Sequence, residues 1–274
     1  MLEERVLLTG TTSGVGRALL DLYARRGANV IAVNRRSVPE LESSYPRVRF
    51  ECVDVRIAER VDELVRRLAQ SAELPDVFIL NAGINDIDND EFFELARYRA
   101  VVDTNLYGVL NFVEPLTRLG RGAGSRHLVA VSSMANYVGN PYGLGYHTSK
   151  RALTACFEVW SRMYAGTDLI FQRVMLGPVA TTAIYTMHDR LPAWMVRLKQ
   201  LFSGSLEGTA WAIFHFARTR KRRLFYPQQA VPLYLALWLC QACVPRLFRG
   251  RKTLAGAERR PEQSAQGRRS EPLG

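Results

Sequence analysis

The sequence predicts a doubly wound α/β fold: a Rossmann-type, about seven-stranded parallel sheet flanked by helices. Three observations predict it. Short β-branched runs alternate with helical stretches along the chain. The strand runs are apolar throughout, as expected where helices cover both faces of a sheet. A glycine-rich segment follows the first strand directly. With 274 residues, the chain suits one such domain with a full core.

Taken in order, strands are expected at 6–9, 29–33, 48–53, 77–80, 127–131, 169–174 and 224–226. Helices are expected between them at 15–26, 58–69, a long stretch 92–119, 146–164 and 206–217. This βαβ repetition implies parallel pairing. Residues 1–252 read as one catalytic domain, with 180–205 as a substrate lid and 224–248 as an apolar C-terminal segment. Residues 253–274 read as a disordered polar tail.

Composition is that of a folded protein, with 47% hydrophobic and 23% charged residues. The net charge of +11 is concentrated late in the chain. Five Lys/Arg fall in 218–223, none of 224–245 is charged, and 246–274 holds eight Lys/Arg against three Glu. Residues 1–217 are therefore nearly neutral. An apolar stretch between two basic ones fits an anionic lipid surface better than nucleic acid. The apolar stretch 230–245 is too short to span a bilayer as one helix. Two readings stand: a shallow anchor on a membrane face, or a core helix with solvated basic flanks. Met1–Arg5 lack a secretory apolar region, so a cytoplasmic location is expected. Cys240 and Cys243 form a C-x-x-C without a second pair or a nearby His, so packing is expected there and no metal site.

The segment Thr9–Gly16 reads T-G-x-x-x-G-x-G at a strand-to-helix turn. Glycines there let the backbone approach a pyrophosphate at the helix N-terminus. The second strand ends at Asn34-Arg35-Arg36, and no acidic residue lies between Asn29 and Val38. An acid at this point would hold the ribose hydroxyl of NAD, whereas an arginine suits the phosphate of NADP. NADP(H) is therefore favoured over NAD(H). Tyr146 and Lys150, four residues apart, share one helix face. An ammonium there, together with the positive nicotinamide of an oxidised cofactor, is expected to lower the phenol pKa, fitting Tyr146 for proton exchange. His147 is expected to point away from Tyr146.

Together with Asp54, Asn81-Ala82-Gly83, Asn105, Ser133 and G-P-V-x-T from Gly177 to Thr181, these motifs resemble the short-chain dehydrogenase/reductase superfamily. The resemblance runs from Leu7 to about Tyr226, with Leu80 standing where many relatives carry Asn. It implies that Gly10, Ser13, Gly14, Val15 and Gly16 cradle the cofactor phosphates. It implies that Asp54 and Val55 contact adenine, that Asn81, Ala82 and Gly83 line the ribose side, and that Gly177, Val179 and Thr181 hold the nicotinamide amide. Asn105, Ser133, Tyr146 and Lys150 would form the catalytic tetrad, with Asn105 holding a water and Tyr146 and Lys150 also meeting the cofactor. The implied activity is hydride exchange with a carbonyl or secondary alcohol, and a homodimer or homotetramer is expected. Apolar residues in 180–205 and 224–248 suggest a lipophilic substrate such as a fatty-acyl, steroid, retinoid or sphingoid ketone. A dinucleotide-binding sensor without turnover is the alternative class.

Overall fold

In the computed structural model, which describes residues 4–85, 93–119, 124–137, 143–180, 197 and 200–239, the chain forms a seven-stranded sheet. The strands are β1 (Arg5–Thr9), β2 (Asn29–Asn34), β3 (Arg49–Cys52), β4 (Val77–Leu80), β5 (Arg126–Ser133), β6 (Leu169–Leu176) and β7 (Arg223–Tyr226). Their spatial order is β3-β2-β1-β4-β5-β6-β7, and every pairing is parallel. Between them lie α1 (Gly14–Arg25), α2 (Pro39–Ser44), α3 (Ala58–Gln70), α4 (Leu95–Val102), α5 (Gly108–Arg118), α6 (Leu144–Met163), α7 (Leu206–Phe216) and α8 (Val231–Leu239).

Alternating side chains divide the core into two layers. Val6, Leu8, Val77, Ile79, Val129 and Val131 pack with α1 and α7. Leu7, Phe78, Leu80, Leu128 and Ala130 pack with α3, α5 and α6 on the opposite face. Successive strand residues must point to opposite faces, so the inner strands are apolar through most of their length, with β6 carrying the buried Gln172 and Arg173 as exceptions. The two edge strands depart from that expectation. β3 is only partly buried, and its Arg49 and Glu51 pair with each other at 2.7 Å. β7 begins at the exposed Arg223. An edge strand has a neighbour on one side only, so charged side chains reach water there.

The expected long helix from 92 to 119 is two helices. A π-helical turn, Asp103–Tyr107, separates α4 from α5, and Asn105 lies fully buried within it. The chain order reverses between β1 and β4, which opens a crevice at their C-terminal ends. Ligands of open α/β sheets occupy that position. Of the expected lid at 180–205, only residues 180, 197 and 200–205 are among the described ones. Residues 240–274, with Cys240, Cys243 and the tail, lie outside them.

Candidate active site

At the crevice, β1 ends on Thr9, whose hydroxyl accepts the N–H groups of Asn81 and Ala82, each at 2.9 Å. This ties the ends of β1 and β4 together. The Asn81 side chain turns back to the glycine loop, donating to the carbonyls of Thr9 at 3.2 Å and Gly10 at 3.1 Å. From the other side, buried Asn34 accepts the Thr11 N–H at 2.9 Å and donates to the Thr11 hydroxyl at 2.9 Å. Nothing in the spacing of Asn34 marked it for this task, because its partner lies on a different loop.

The loop so held fits a dinucleotide phosphate. A Cβ on Gly16 would sit 1.8 Å from the Gly10 carbonyl oxygen, and one on Gly10, at φ 72°, would sit 2.9 Å from the Ala82 Cα. Only bare backbone passes here. The N-cap of α1, Ser13, makes no side-chain cap, and its first turn, which begins Gly14-Val15-Gly16, contains no acidic residue. The N-terminus of this 12-residue helix is therefore ready for an anion.

Arg35 is exposed just beyond β2. Asp54 accepts hydrogen bonds from the Arg56 guanidinium, Nε to Oδ1 at 3.0 Å and to Oδ2 at 3.1 Å, and Nη2 to Oδ2 at 2.6 Å. That pairing, aided by the Arg35 charge, holds the Asp54 carboxyl below its ordinary value. Arg56 was not singled out by any motif, yet it places a second guanidinium at this end. Val55 is buried against α5: a Cβ on Gly108 would lie 2.7 Å from its Cγ2.

The reacting centre lies one strand further on. Ser133 closes β5, is buried, and is hydrogen-bonded to Tyr146 in the first turn of α6. Its Oγ also accepts the Ala135 N–H at 3.1 Å. Lys150, one turn beyond Tyr146, is 5% exposed. Its Nζ donates to the Val131 carbonyl at 2.8 Å and stands 6.0 Å from the centroid of the Tyr146 ring. Burial brings the Lys150 pKa down to about 8. The surroundings that the chain itself gives the Tyr146 phenol act in the other direction. Burial pushes that phenol above its ordinary value, and the Ser133 hydrogen bond only partly opposes it. His147 also departs from expectation. Its ring meets Tyr146 edge-on at 6.0 Å, and its Nδ1 lies 3.1 Å from the Ala135 carbonyl oxygen.

Asn105, expected to hold a water, uses its carboxamide on the chain itself. It accepts the Ile84 N–H at 2.8 Å and donates to the Ile84 carbonyl at 2.9 Å and to the Ser149 hydroxyl at 3.1 Å. It thereby clamps the segment after β4 to α6. Gly83 keeps the gap open, since a Cβ there would lie 3.1 Å from Asn105 Oδ1 and 3.4 Å from Lys150 Nζ. A buried network absent from the sequence reading sits beneath. Asn136 donates to the Lys150 carbonyl at 3.1 Å and to the Thr154 hydroxyl at 2.7 Å, and the Ser132 hydroxyl donates to the same Lys150 carbonyl at 3.1 Å. These bonds fix the early turns of α6 onto β5.

Gly177 follows β6 and donates its N–H to the Tyr226 carbonyl at 2.7 Å. Val179 is buried and bridges Gly204. Thr181 lies outside the described residues. Beside the reacting centre is a cavity of about 240 Å³. Met134 and Tyr137 line it from the turn after β5, Phe225 from β7, and Val231, Tyr234, Leu235 and Trp238 from α8. None of these is charged. Among the described residues, no three His, Cys, Asp or Glu converge as a metal site would require.

The short chain dehydrogenase family model matches residues 4–190. The chain belongs to the short-chain dehydrogenase family. It is 36% identical to an uncharacterized oxidoreductase of Myxococcus xanthus, over 69% of this chain and 77% of that one. It is 29% identical to a 3-oxoacyl-acyl-carrier-protein reductase of Thermotoga maritima, over 68% of this chain and 76% of that one. A short-chain dehydrogenase from Streptomyces avermitilis superposes with a TM-score of 0.73 at 22% identity, covering 89% of this chain and 96% of that one. ElxO with NADP bound superposes at 0.71 (20% identity, 82% and 97% covered), and 4-hydroxyisoleucine dehydrogenase complexed with NADH at 0.66 (17% identity, 81% and 96% covered). This short-chain dehydrogenase is thus an oxidoreductase of a family that acts on CH–OH and C=O groups with NAD(P)(H) and is commonly oligomeric.

Proposed function

We propose that this short-chain dehydrogenase moves a hydride between NADP(H) and the carbonyl or secondary alcohol of an apolar substrate, with Tyr146 exchanging the proton. The observation that carries the reading is the meeting of Ser133, Tyr146 and Lys150 between the glycine loop and an uncharged cavity.

The nicotinamide supplies or accepts the hydride when bound. The chain does the rest. Ser133 offers its hydroxyl to the substrate oxygen, where negative charge develops. In reduction, Tyr146 gives that oxygen its proton. In oxidation Tyr146 must first be a phenolate, which burial opposes. Lys150 is the positive charge the chain provides nearby, and its ammonium form prevails below about pH 8. Asn105 and Asn136 hold Lys150 and α6 in register through the bonds described above.

For cofactor binding, Gly10, Ser13, Gly14, Val15 and Gly16 take the phosphates, and Arg35 with Arg56 takes the 2′-phosphate. Asp54 and Val55 serve the adenine, while Gly83, Gly177, Val179 and Thr181 serve the nicotinamide side. The apolar outer face of α8 meets a lipid surface, and the outward face of α6 meets a second copy of the chain. Turnover of NADPH and NADH with charged and uncharged ketones tests the reading. Faster NADPH consumption with uncharged apolar ketones is expected. Equal use of both cofactors, or preference for charged substrates, would overturn it.

A further inference from the structure

The helix α8 reads V-P-L-Y-L-A-L-W-L and contains no charge, yet none of its residues is fully buried. Its inward side meets the cavity at the reacting centre instead of a packed core. Tyr234 brings a phenol to that wall. It shares the wall with Met134, the residue after Ser133, and with Tyr137, so α8 closes over the end of β5. Burial, with a smaller contribution from the charge of Tyr146, pushes the Tyr234 pKa up to about 12. Tyr234 is therefore a neutral O–H donor around neutral pH. An O–H in surroundings this apolar is costly unless an acceptor meets it.

We propose that Tyr234 is a positioning residue of the reacting centre: a second phenol, carried in by α8, that donates a hydrogen bond to the oxygen exchanging its proton with Tyr146. The proposal rests on the reading of Tyr146 as the proton-exchanging group. It makes α8 part of the active site. It also narrows the substrate class to uncharged molecules whose reacting oxygen can sit between two phenols while an apolar body fills the space lined by Met134, Phe225, Val231 and Trp238.

The test is the pH profile of 1-tetralol oxidation with NADP, compared among wild type, Tyr234→Phe and Tyr146→Phe. The proton lost in oxidation is shared between the substrate oxygen and Tyr146, so a donor at that oxygen favours the deprotonated pair and its removal makes the pair harder to ionise. For Tyr234→Phe, kcat should fall about tenfold, with KM changed less than about threefold. The limb of the profile that rises with pH should move up by roughly half a unit or more. A merely structural role would not move that limb. Wild-type kcat and profile in a folded Tyr234→Phe protein overturn this proposal alone, provided that Tyr146→Phe is inactive. If Tyr146→Phe is as active as wild type, the parent reading fails and this proposal fails with it. Should Tyr234→Phe melt early, Tyr234→Met is read the same way.

Discussion

Lys150 shows how strongly burial acts on single residues here. Its folded pKa of about 8 lies below the ordinary 10.5. Between those values the unfolded chain binds more protons than the folded one, so stability rises with pH across that window. Below about pH 8 the penalty of burying an ammonium is fully present. The relief amounts to about 3 kcal/mol at most. Thermal melting of the cofactor-free protein should show wild type gaining on Lys150→Met between pH 8 and 10. A constant difference between the two would contradict the burial of a titrating Lys150. At the far end of the crevice, Arg35→Asp replaces a phosphate partner with a repulsive charge. Its kcat/KM for NADPH should drop roughly tenfold to a hundredfold, with NADH much less affected. An unchanged cofactor ratio would remove Arg35 from phosphate recognition.

Among the elements, α6 has two faces with different tasks. Leu153 and Phe157 are buried, and Trp160 packs at 5.6 Å on Phe157 and 5.4 Å on Phe171. Trp160 therefore belongs mainly to the core, although its spacing in the sequence could equally place it outward. Val159 and Met163, 51% and 68% exposed, form an outward apolar stripe with Ala155. Such a stripe suits a two-fold partner. Sedimentation at micromolar concentration should find an oligomer for wild type and a monomer for Val159→Glu/Met163→Glu. A monomeric wild type would contradict that use of the stripe. The inner strands were legible in the sequence because uninterrupted apolar runs have few other stable settings. Ser133, Tyr146 and Lys150 were legible through residue type and spacing. The π turn at Asp103–Tyr107 was not, since it contains no Pro or Gly to mark a break and its shape depends on packing such as Gly108 against Val55. Asn34, Asn136 and Tyr234 were also hidden, because each acquires its role only when the fold brings a distant partner to it.

At the scale of the whole molecule, the sheet has two ends with different surroundings. The crevice, the cavity and α8 lie at the C-terminal ends of the strands, whereas the basic run 218–223 enters β7 at its opposite end. The four residues of β7 separate them by roughly 13 Å. The sequence reading placed this basic run directly beside the apolar segment, and the fold corrects that. No described helix is long and apolar enough to cross a membrane. Under the proposal of lipid contact, the surface that would make it is the outer face of α8, where Ala236 and Leu239 are exposed. Flotation with anionic vesicles should be lost in Ala236→Asp/Leu239→Asp and largely kept when Arg220, Lys221 and Arg222 become Gln. The reverse pattern would assign lipid contact to the basic run. The central claim is hydride transfer with Tyr146 as proton partner, and deuterium tracing tests it most directly. NADPH carrying deuterium at both C4 positions of the nicotinamide is incubated with 1-tetralone and wild type or Tyr146→Phe. The expected result is one deuterium on the carbinol carbon with wild type, and almost none with Tyr146→Phe although it still binds NADPH. Labelling by Tyr146→Phe at the wild-type rate, or no labelled alcohol from a wild type that binds NADPH, would contradict the claim.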